Sequence, residues 1–327
     1  MKRLSVIIPV YKVENQIEKC ATSLFKQTLP GIEYIFVNDC SPDNSMQKLN
    51  EVIEQFPEKK KDIIIVQHET NKGLSKARLS GLLKATGEYV AHCDSDDWVE
   101  PNMYELMINA AEKETADVVC SGFFYDDGEN TEEQNFSKSY FNKTDYLNKI
   151  AIGGIYSSLC NKIVKKSLYT DNNVHPIEGV SLWEDMVVTI RLIYHSNSTV
   201  LIQRPLYHYV FKKDSISSSS TFSTNHIKDQ IKVAKIINDF FLYNVKEYSK
   251  YKLQIEQIKF ISKLQLLTNL NTQNIVLWKK IFPESNNRLI KYKELSLKAK
   301  LISIFALIFP VPVTEMVIKA IYKLKNS

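Results

Sequence analysis

Three aspartates fall within four residues, Asp94, Asp96 and Asp97. Carboxylates this close repel one another unless a cation or hydrogen-bond donors hold them. A hard, oxygen-liganded ion, Mg²⁺ or Mn²⁺, is the natural counter-charge, because such ions take one or two carboxylates and fill the remaining positions with substrate phosphates and water. The plainer reading is that Asp96 or Asp97 caps a helix opening near Pro101. A second acidic pair, Glu184-Asp185, follows Trp183 at the start of a helical stretch. It can serve as a helix-dipole partner or, placed against a hydroxyl, as a proton acceptor. Glycine loops that cradle phosphates are missing: there is no G-x-x-x-x-G-K-[ST], no G-x-G-x-x-G, and the first glycine is Gly31. P-loop kinase and dinucleotide redox chemistry therefore lose their main support. A diphosphate would need the metal, helped by Lys72 and Arg78, each of which alone reads as a solvated helix charge. His208, between Tyr207 and Tyr209 with no second His or Cys at ligand spacing, reads as packing at a sheet edge. Cys93 reads as core filling.

These residues need a frame that brings them together, and the apolar pattern supplies one. Strand-like runs at Leu4–Val10, Ile32–Val37, Ile63–Gln67, Tyr89–Cys93 and Val118–Phe124 alternate with helical spacing at Glu14–Phe25, Met46–Phe56, Ser75–Ala85 and Pro101–Thr115. That alternation predicts right-handed crossovers and a doubly wound α/β fold with a mainly parallel sheet. Ligands of such sheets bind beyond the carboxyl ends of the strands. Those ends are polar here: Pro9-Val10-Tyr11, Asn38-Asp39, His68-Glu69-Thr70-Asn71-Lys72-Gly73 and Asp94-Ser95-Asp96-Asp97. Further on, Asp126–Lys143 reads as a polar surface excursion, Trp183–His195 as a helix, Val200–Phe211 as a strand and Lys212–Ser223 as a flexible loop. Helical spacing from Asn225 to about Leu270 predicts a C-terminal helical appendage, dividing the chain into residues 1–222 and 223–327.

Composition bounds the rest. The chain has 327 residues, 44% hydrophobic and 24% charged, with a net charge of +5. Residues 288–327 alone carry +6, leaving −1 for the remainder. A nucleic-acid-binding surface would spread its basic residues over the body of the fold, so no nucleic-acid partner is expected. The five cysteines form no Cys-x-x-Cys pair and fit reduced thiols in a cytoplasmic setting. Leu4–Val10 is too short for a signal peptide and reads as the first strand. Oligomeric state is not legible.

The run Ser5-Val6-Ile7-Ile8-Pro9-Val10-Tyr11, then Val37–Ser45, Asn71-Lys72-Gly73 with Ala77-Arg78 and Gly81, and Gly87-Glu88-Tyr89 leading into Asp94-Ser95-Asp96-Asp97 resembles family 2 glycosyltransferases of the GT-A fold. Cys160-Asn161-Lys162-Ile163 and Trp183-Glu184-Asp185 resemble stretches of its bacterial members. The likeness covers about Arg3 to Ser217. It implies a nucleotide-diphosphate sugar donor, with Pro9, Tyr11 and Asp39 lining the nucleotide pocket, Asp94 on the ribose side, Ser95 among the donor-binding residues and Asp96 on the metal. On the acceptor side it implies Trp183 and Glu184, with Asp185 as general base of an inverting transfer to a lipid-linked or polymeric saccharide of a bacterial surface glycan. Lys12, Asn38, Leu79 and Val210 depart from the family pattern, leaving open which of His208, Lys212 and Lys213 faces the leaving phosphate. A sugar-phosphate nucleotidyltransferase and a non-catalytic saccharide- or nucleotide-binding module are the alternatives.

The tail adds a separate expectation. Leu301–Val313 has a single polar residue, Ser303, and is broken by Pro310 and Pro312. It is too short to cross a bilayer. With its flanking lysines, the region 291–327 can lie on an anionic membrane surface, peripheral to the inner face of the cytoplasmic membrane, or pack as a core or dimer helix.

Overall fold

The computed structural model describes residues 2–138, 142–150, 154–211, 224–268, 272–292 and 295–323. Two compact units emerge, residues 1–143 with 153–218 and residues 144–152 with 219–327.

The first unit is built on one sheet. Its strands are β1 (Leu4–Val10), β2 (Ile32–Asn38), β3 (Ile63–Gln67), β4 (Tyr89–His92), β5 (Trp98–Val99), β6 (Val118–Asp126), β7 (Thr131–Gln134), β8 (Lys162–Lys165) and β9 (Thr199–Val210). They lie in the order β3-β2-β1-β4-β8-β6-β9-β5, with β7 on β6. β1 and β2 are buried at every residue, as expected of the mainly apolar strands of a parallel sheet covered on both faces, and Ser5 and Glu33, polar members within them, are paired by a 2.6 Å hydrogen bond from the Ser5 hydroxyl. β3, β2, β1 and β4 run parallel. β8 is antiparallel to both β4 and β6, so β6 points the same way as β4, and β9 follows it in parallel. The carboxyl ends of β1, β2, β3, β4, β6 and β9 consequently share one edge. β5, β7 and β8 are additions to the expected set: runs of two to four residues have no period to read, and β7 lies inside the polar excursion after Tyr125.

Helices α1 (Ile17–Phe25), α2 (Ser45–Gln55), α3 (Leu74–Lys84), α4 (Met103–Glu114), α5 (Lys143–Ile150), α6 (Lys166–Asp171) and α7 (Glu184–His195) follow in chain order. α3 lies tight against β1: a Cβ on Gly81 would come within 2.4 Å of Ile7 Cγ2. α4 opens at Met103 after Asn102, and neither Asp96 nor Asp97 caps it. The capping reading of the acidic cluster is thus corrected, since the Asp97 carboxylate is engaged by β9 instead.

The second unit contains nearly all of α5 together with α8 (Thr224–Asn244), α9 (Tyr248–Thr268), α10 (Thr272–Lys280), α11 (Leu297–Ile308) and α12 (Val311–Lys323). The long helical stretch after Asn225 is two helices, interrupted at 245–247. Trp278, Phe260, Tyr292 and Leu267 centre its core, which also takes Ile302, Ala306 and Ile318 from the tail. The buried Lys263 amine donates to the carbonyls of Trp278, Ile281 and Phe282 at 2.6–3.2 Å, closing the end of α10. The outward side of the tail is apolar too: Leu297, Leu301, Ile308 and Met316 are exposed by 58–72%. Among the described residues no helix is long and apolar enough to cross a membrane. The segment Lys212–Ser223, Lys293 and Lys325 lie outside the described residues.

Candidate active site

The β2 end is organised by Asp39. The register β1 to β2, running from Leu4↔Ile32 to Val10↔Asn38, leaves Asp39 just past the sheet. Its buried carboxylate accepts the N–H groups of Lys72 and Gly73, both at 2.8 Å, and bonds His68 Nδ1 at 2.6 Å. His68 Nε2 in turn meets Ser80 Oγ at 2.9 Å. One carboxylate therefore sets the turn that leads into α3, where Gly73 adopts φ +83°, a conformation that favours glycine. The Lys72 side chain is exposed at the rim, as is Tyr11 at 39%, while Pro9 is buried in β1. Beside Tyr11, Lys12 holds φ +54° and donates its N–H to Ser41 Oγ at 2.8 Å. Asp43 accepts from both Ser41 and Ser45 hydroxyls and from the Glu14 N–H. Partial burial opposes its ionisation, but these bonds prevail and bring its pKa down to about 2.

At the β4 end the acidic cluster divides into three environments. Asp97 is buried and accepts the Tyr207 hydroxyl at 2.6 Å and the Val210 N–H at 2.8 Å. Burial, with Asp96 and Asp94 nearby, pushes its carboxyl well above the usual range. Tyr207 Oη also accepts the Asp94 N–H at 3.2 Å, so one tyrosine ties this loop to β9. Asp94 faces inward, with one oxygen on Arg78 at 2.8 Å and the other 3.3 Å from Cys160 Sγ. Asp96 is half-buried and Ser95 buried in the same loop.

Arg78 joins the two acidic groups. Its side chain is 1% exposed and reaches Asp94, Glu184 at 3.3 Å and Asp185 in close contact. Asp185 also accepts the Leu159 N–H at 3.1 Å. The segment carrying Leu159 is pinned by the two residues after Cys160: Asn161 donates to the carbonyls of Ser121 and Ile155, and the buried Lys162 amine to those of Ile155 and Ser158. Trp183, directly before α7, takes the left-handed conformation at φ +66°, strained for a bulky residue and aiming Glu184 and Asp185 inward. Burial, then the Asp185 charge, raises Glu184 to about 8 against the pull of Arg78. Burial likewise raises Asp185, again opposed by Arg78.

The expected site residues thus gather along one sheet edge, and Asp94, Glu184 and Asp185 share one buried guanidinium. Arg78 is no solvated helix charge. His68, Cys160 and Tyr207, which orient the aspartates, carried no role in the sequence reading. His68 stood in the polar stretch after the third strand, but its reach to Asp39 spans 29 positions. Elsewhere, His208 stacks between Trp98 and Phe124 and meets Glu100 at 2.7 Å, the packing role expected of it. Among the described residues no three His, Cys, Asp or Glu side chains converge to hold a metal ion by themselves.

A mainly parallel sheet with carboxylates at its carboxyl edge agrees with the architecture that the family resemblance implies, and the comparisons show the family. Residues 5–171 match the profile described as Glycosyl transferase family 2. The chain belongs to that family. Among relatives, the Bacillus subtilis protein EpsH is 30% identical over 218 residues, 65% of this chain and 62% of that one. Glycosyltransferase GlyG of Streptococcus pneumoniae is 27% identical over 274 residues, 80% of this chain and 86% of GlyG. The poly(ribitol-phosphate) beta-N-acetylglucosaminyltransferase TarS of Staphylococcus aureus is 27% identical over 225 residues, 68% of this chain but 38% of TarS. The chain therefore spans less than two thirds of several relatives' lengths. The solved S. aureus TarS 1–349 in complex with UDP superposes with a TM-score of 0.74 at 20% identity, covering 99% of this chain and 92% of that one. The fold is the GT-A glycosyltransferase fold.

Proposed function

We propose that the chain is an inverting, metal-assisted glycosyltransferase that moves a sugar from a nucleoside diphosphate to a saccharide acceptor in bacterial surface-polymer synthesis. The observation that carries it is the buried Arg78 holding Asp94, Glu184 and Asp185 together at the sheet edge. In this reading Pro9, Tyr11 and Asp39 receive the base and Asp94 and Ser95 the ribose, with Lys72 facing the phosphates. Asp96, a half-buried carboxylate, suits a Mg²⁺ or Mn²⁺ whose other ligands are diphosphate oxygens and water. When bound, that ion supplies charge stabilisation to the departing diphosphate. Asp185, already raised in pKa, takes the acceptor hydroxyl's proton while Trp183 and Glu184 border the acceptor, and attack opposite the diphosphate inverts the anomeric centre. Arg78 keeps the base aimed.

Support also comes from the relatives' names. TarS acts on poly(ribitol-phosphate) and has been solved with UDP and UDP-GlcNAc. GgaB of B. subtilis is a minor teichoic acid biosynthesis protein. The mannosyltransferase PcManGT of Pyrobaculum calidifontis, TM-score 0.54, was solved with GDP-Man and Mn²⁺. A peripheral seat on an anionic membrane through the tail would bring the site to a lipid-linked acceptor.

The test separates binding from turnover. Asp185→Asn should lower transfer on the order of 10² to 10⁴ with donor affinity retained, and Asp96→Ala or a chelator should abolish it. Normal transfer by Asp185→Asn would move the base to Glu184. Transfer indifferent to chelator would remove the metal from the reading.

A further inference from the structure

Tyr207 reaches the 94–97 loop from one face of the sheet, and on that face the alternation of β6 and β9 continues outward as aromatic residues. Phe123 and Tyr125 stand on β6, Tyr209 on β9, and Phe211 just past it. The register pairs Phe123 with Tyr207 and Tyr125 with Tyr209. The Phe211 N–H donates to the Asp126 carbonyl at 2.7 Å, so the pairing runs on beyond β9. Neighbouring rings adjoin at 6.1 Å (Phe123–Tyr209), 5.6 Å (Tyr125–Tyr209) and 5.5 Å (Tyr125–Phe211). Phe123 is buried, but Tyr125, Tyr209 and Phe211 keep part of their surface in solvent. By strand rise, Tyr209 lies about 7 Å and Phe211 about 13 Å beyond Tyr207. The strip thus starts at the residue that ties down Asp94 and Asp97 and leads away from it over the length of a short oligosaccharide.

Hydrogen-bonding groups flank the rings. On β7, Gln134 stands opposite Phe123 and Glu132 opposite Tyr125, on the same face. A pyranose ring offers C–H bonds on its faces, suited to the negative face of an aromatic ring, and hydroxyls around its edge that donate to carboxylate and amide oxygens. Cross-strand packing alone accounts for rings that touch; it does not account for their running from the catalytic rim with a carboxylate and an amide alongside. Residues 126–134 contain five acidic residues and no basic one, and Glu132 and Glu133 are exposed. Such a rim repels polyanions.

We propose that this strip is the acceptor subsite and that its occupant is an uncharged or amino-bearing saccharide chain, unlike the poly(ribitol-phosphate) in the name of TarS. Its place in catalysis rests on the transferase reading above. Saturation-transfer NMR on the full chain with cellotriose, maltotriose and chitotriose tests it without turnover. The wild type should bind at least one of these, and Tyr125→Ala and Phe211→Ala should each weaken that binding about fivefold to tenfold. Tyr125→Trp, which keeps a ring, should restore it. If Tyr125→Ala melts early, Phe211→Ala, beyond the strand, decides. Glu132→Lys with Glu133→Lys should confer binding of poly(ribitol phosphate), which the wild type should refuse. Binding of no trisaccharide by the wild type, binding unchanged in Phe211→Ala, or wild-type preference for the polyanion would each overturn the proposal. Release of nucleoside diphosphate to water by the wild type reports the donor side separately: its absence would sink the transferase reading and leave the saccharide result standing.

Discussion

Replacing Arg78 by methionine should destabilise the first unit strongly and in a pH-dependent way. The guanidinium is 1% exposed and pairs with Asp94, Glu184 and Asp185. Methionine fills much of its volume but leaves three carboxyl groups facing one another without a counter-charge. Removing one partner from a buried ion pair costs about 3–5 kcal/mol. For a unit of about 200 residues each kcal/mol shifts the melting temperature by about 2–4 °C, so a drop of roughly 6–20 °C follows. The sign with pH is fixed by the same charges. Without arginine the folded-state carboxyls lie above their unfolded values, so the folded protein binds more protons and loses stability as pH rises from about 4 to 8. The deficit should be smaller at pH 5 than at pH 8. Adding Asp185→Asn removes one repelling charge and should recover part of the loss, a coupling that separate effects would not show. Circular-dichroism melts of the single and double variants at both pH values measure all of this. A single variant melting within about 2 °C of wild type at pH 8, less than 1 kcal/mol for this size, or a deficit equal at both pH values, would refute the view that Arg78 neutralises this cluster.

Glu184→Gln should flatten two pH profiles. Glu184 is held up at about 8, above its ordinary 4.5, so wild-type stability should fall as pH rises through that window and the amide variant should lose less. The same substitution should remove an inflection near pH 8 from the profile of kcat/KM; an unchanged profile would assign that step elsewhere. For the tail, full-length protein should co-sediment with anionic vesicles at low salt and detach as salt rises. Ile308→Ser with Phe309→Ser, on the exposed side, should abolish binding without a shift in melting. Deleting the tail is not a clean test, because Ile302, Ala306 and Ile318 are core residues of the helical unit. Failure of the wild type to bind anionic vesicles at low salt would remove the membrane from the account.

The strand-helix beat and the carboxyl-edge location of the polar residues were legible because buried strands such as β1 and β2 are mostly apolar, interrupted only by Ser5 and Glu33, and their ends change composition abruptly. The acidic triplet was legible as a site but not in its division. Asp97 is a structural acceptor because Tyr207 and Val210, more than 100 positions away, fold onto it, and no local pattern reports that distance. Arg78 looked like a surface charge for the same reason: its three partners are 16, 106 and 107 positions away. The conjunction of motifs carried more than any one of them, since Asn161 and Lys162 act together by pinning the segment behind Asp185 while Cys160 meets Asp94 and Arg78. Lys12, which departs from the asparagine common in the family, sits at φ +54°, a backbone that asparagine, after glycine, tolerates better than lysine does. Short strands such as β8 remained invisible because four residues carry too little periodicity.

The most direct test of the central claim is the product itself. Full-length protein incubated with a panel of nucleotide sugars, Mg²⁺ or Mn²⁺ and oligosaccharide acceptors should release nucleoside diphosphate faster when acceptor is present. The new glycosidic linkage, read by NMR, should be of opposite anomeric configuration to the donor, and its formation should depend on Asp185. Pyrophosphate released from a nucleoside triphosphate, a linkage that retains the donor's configuration, or transfer undiminished in Asp185→Asn would contradict the account.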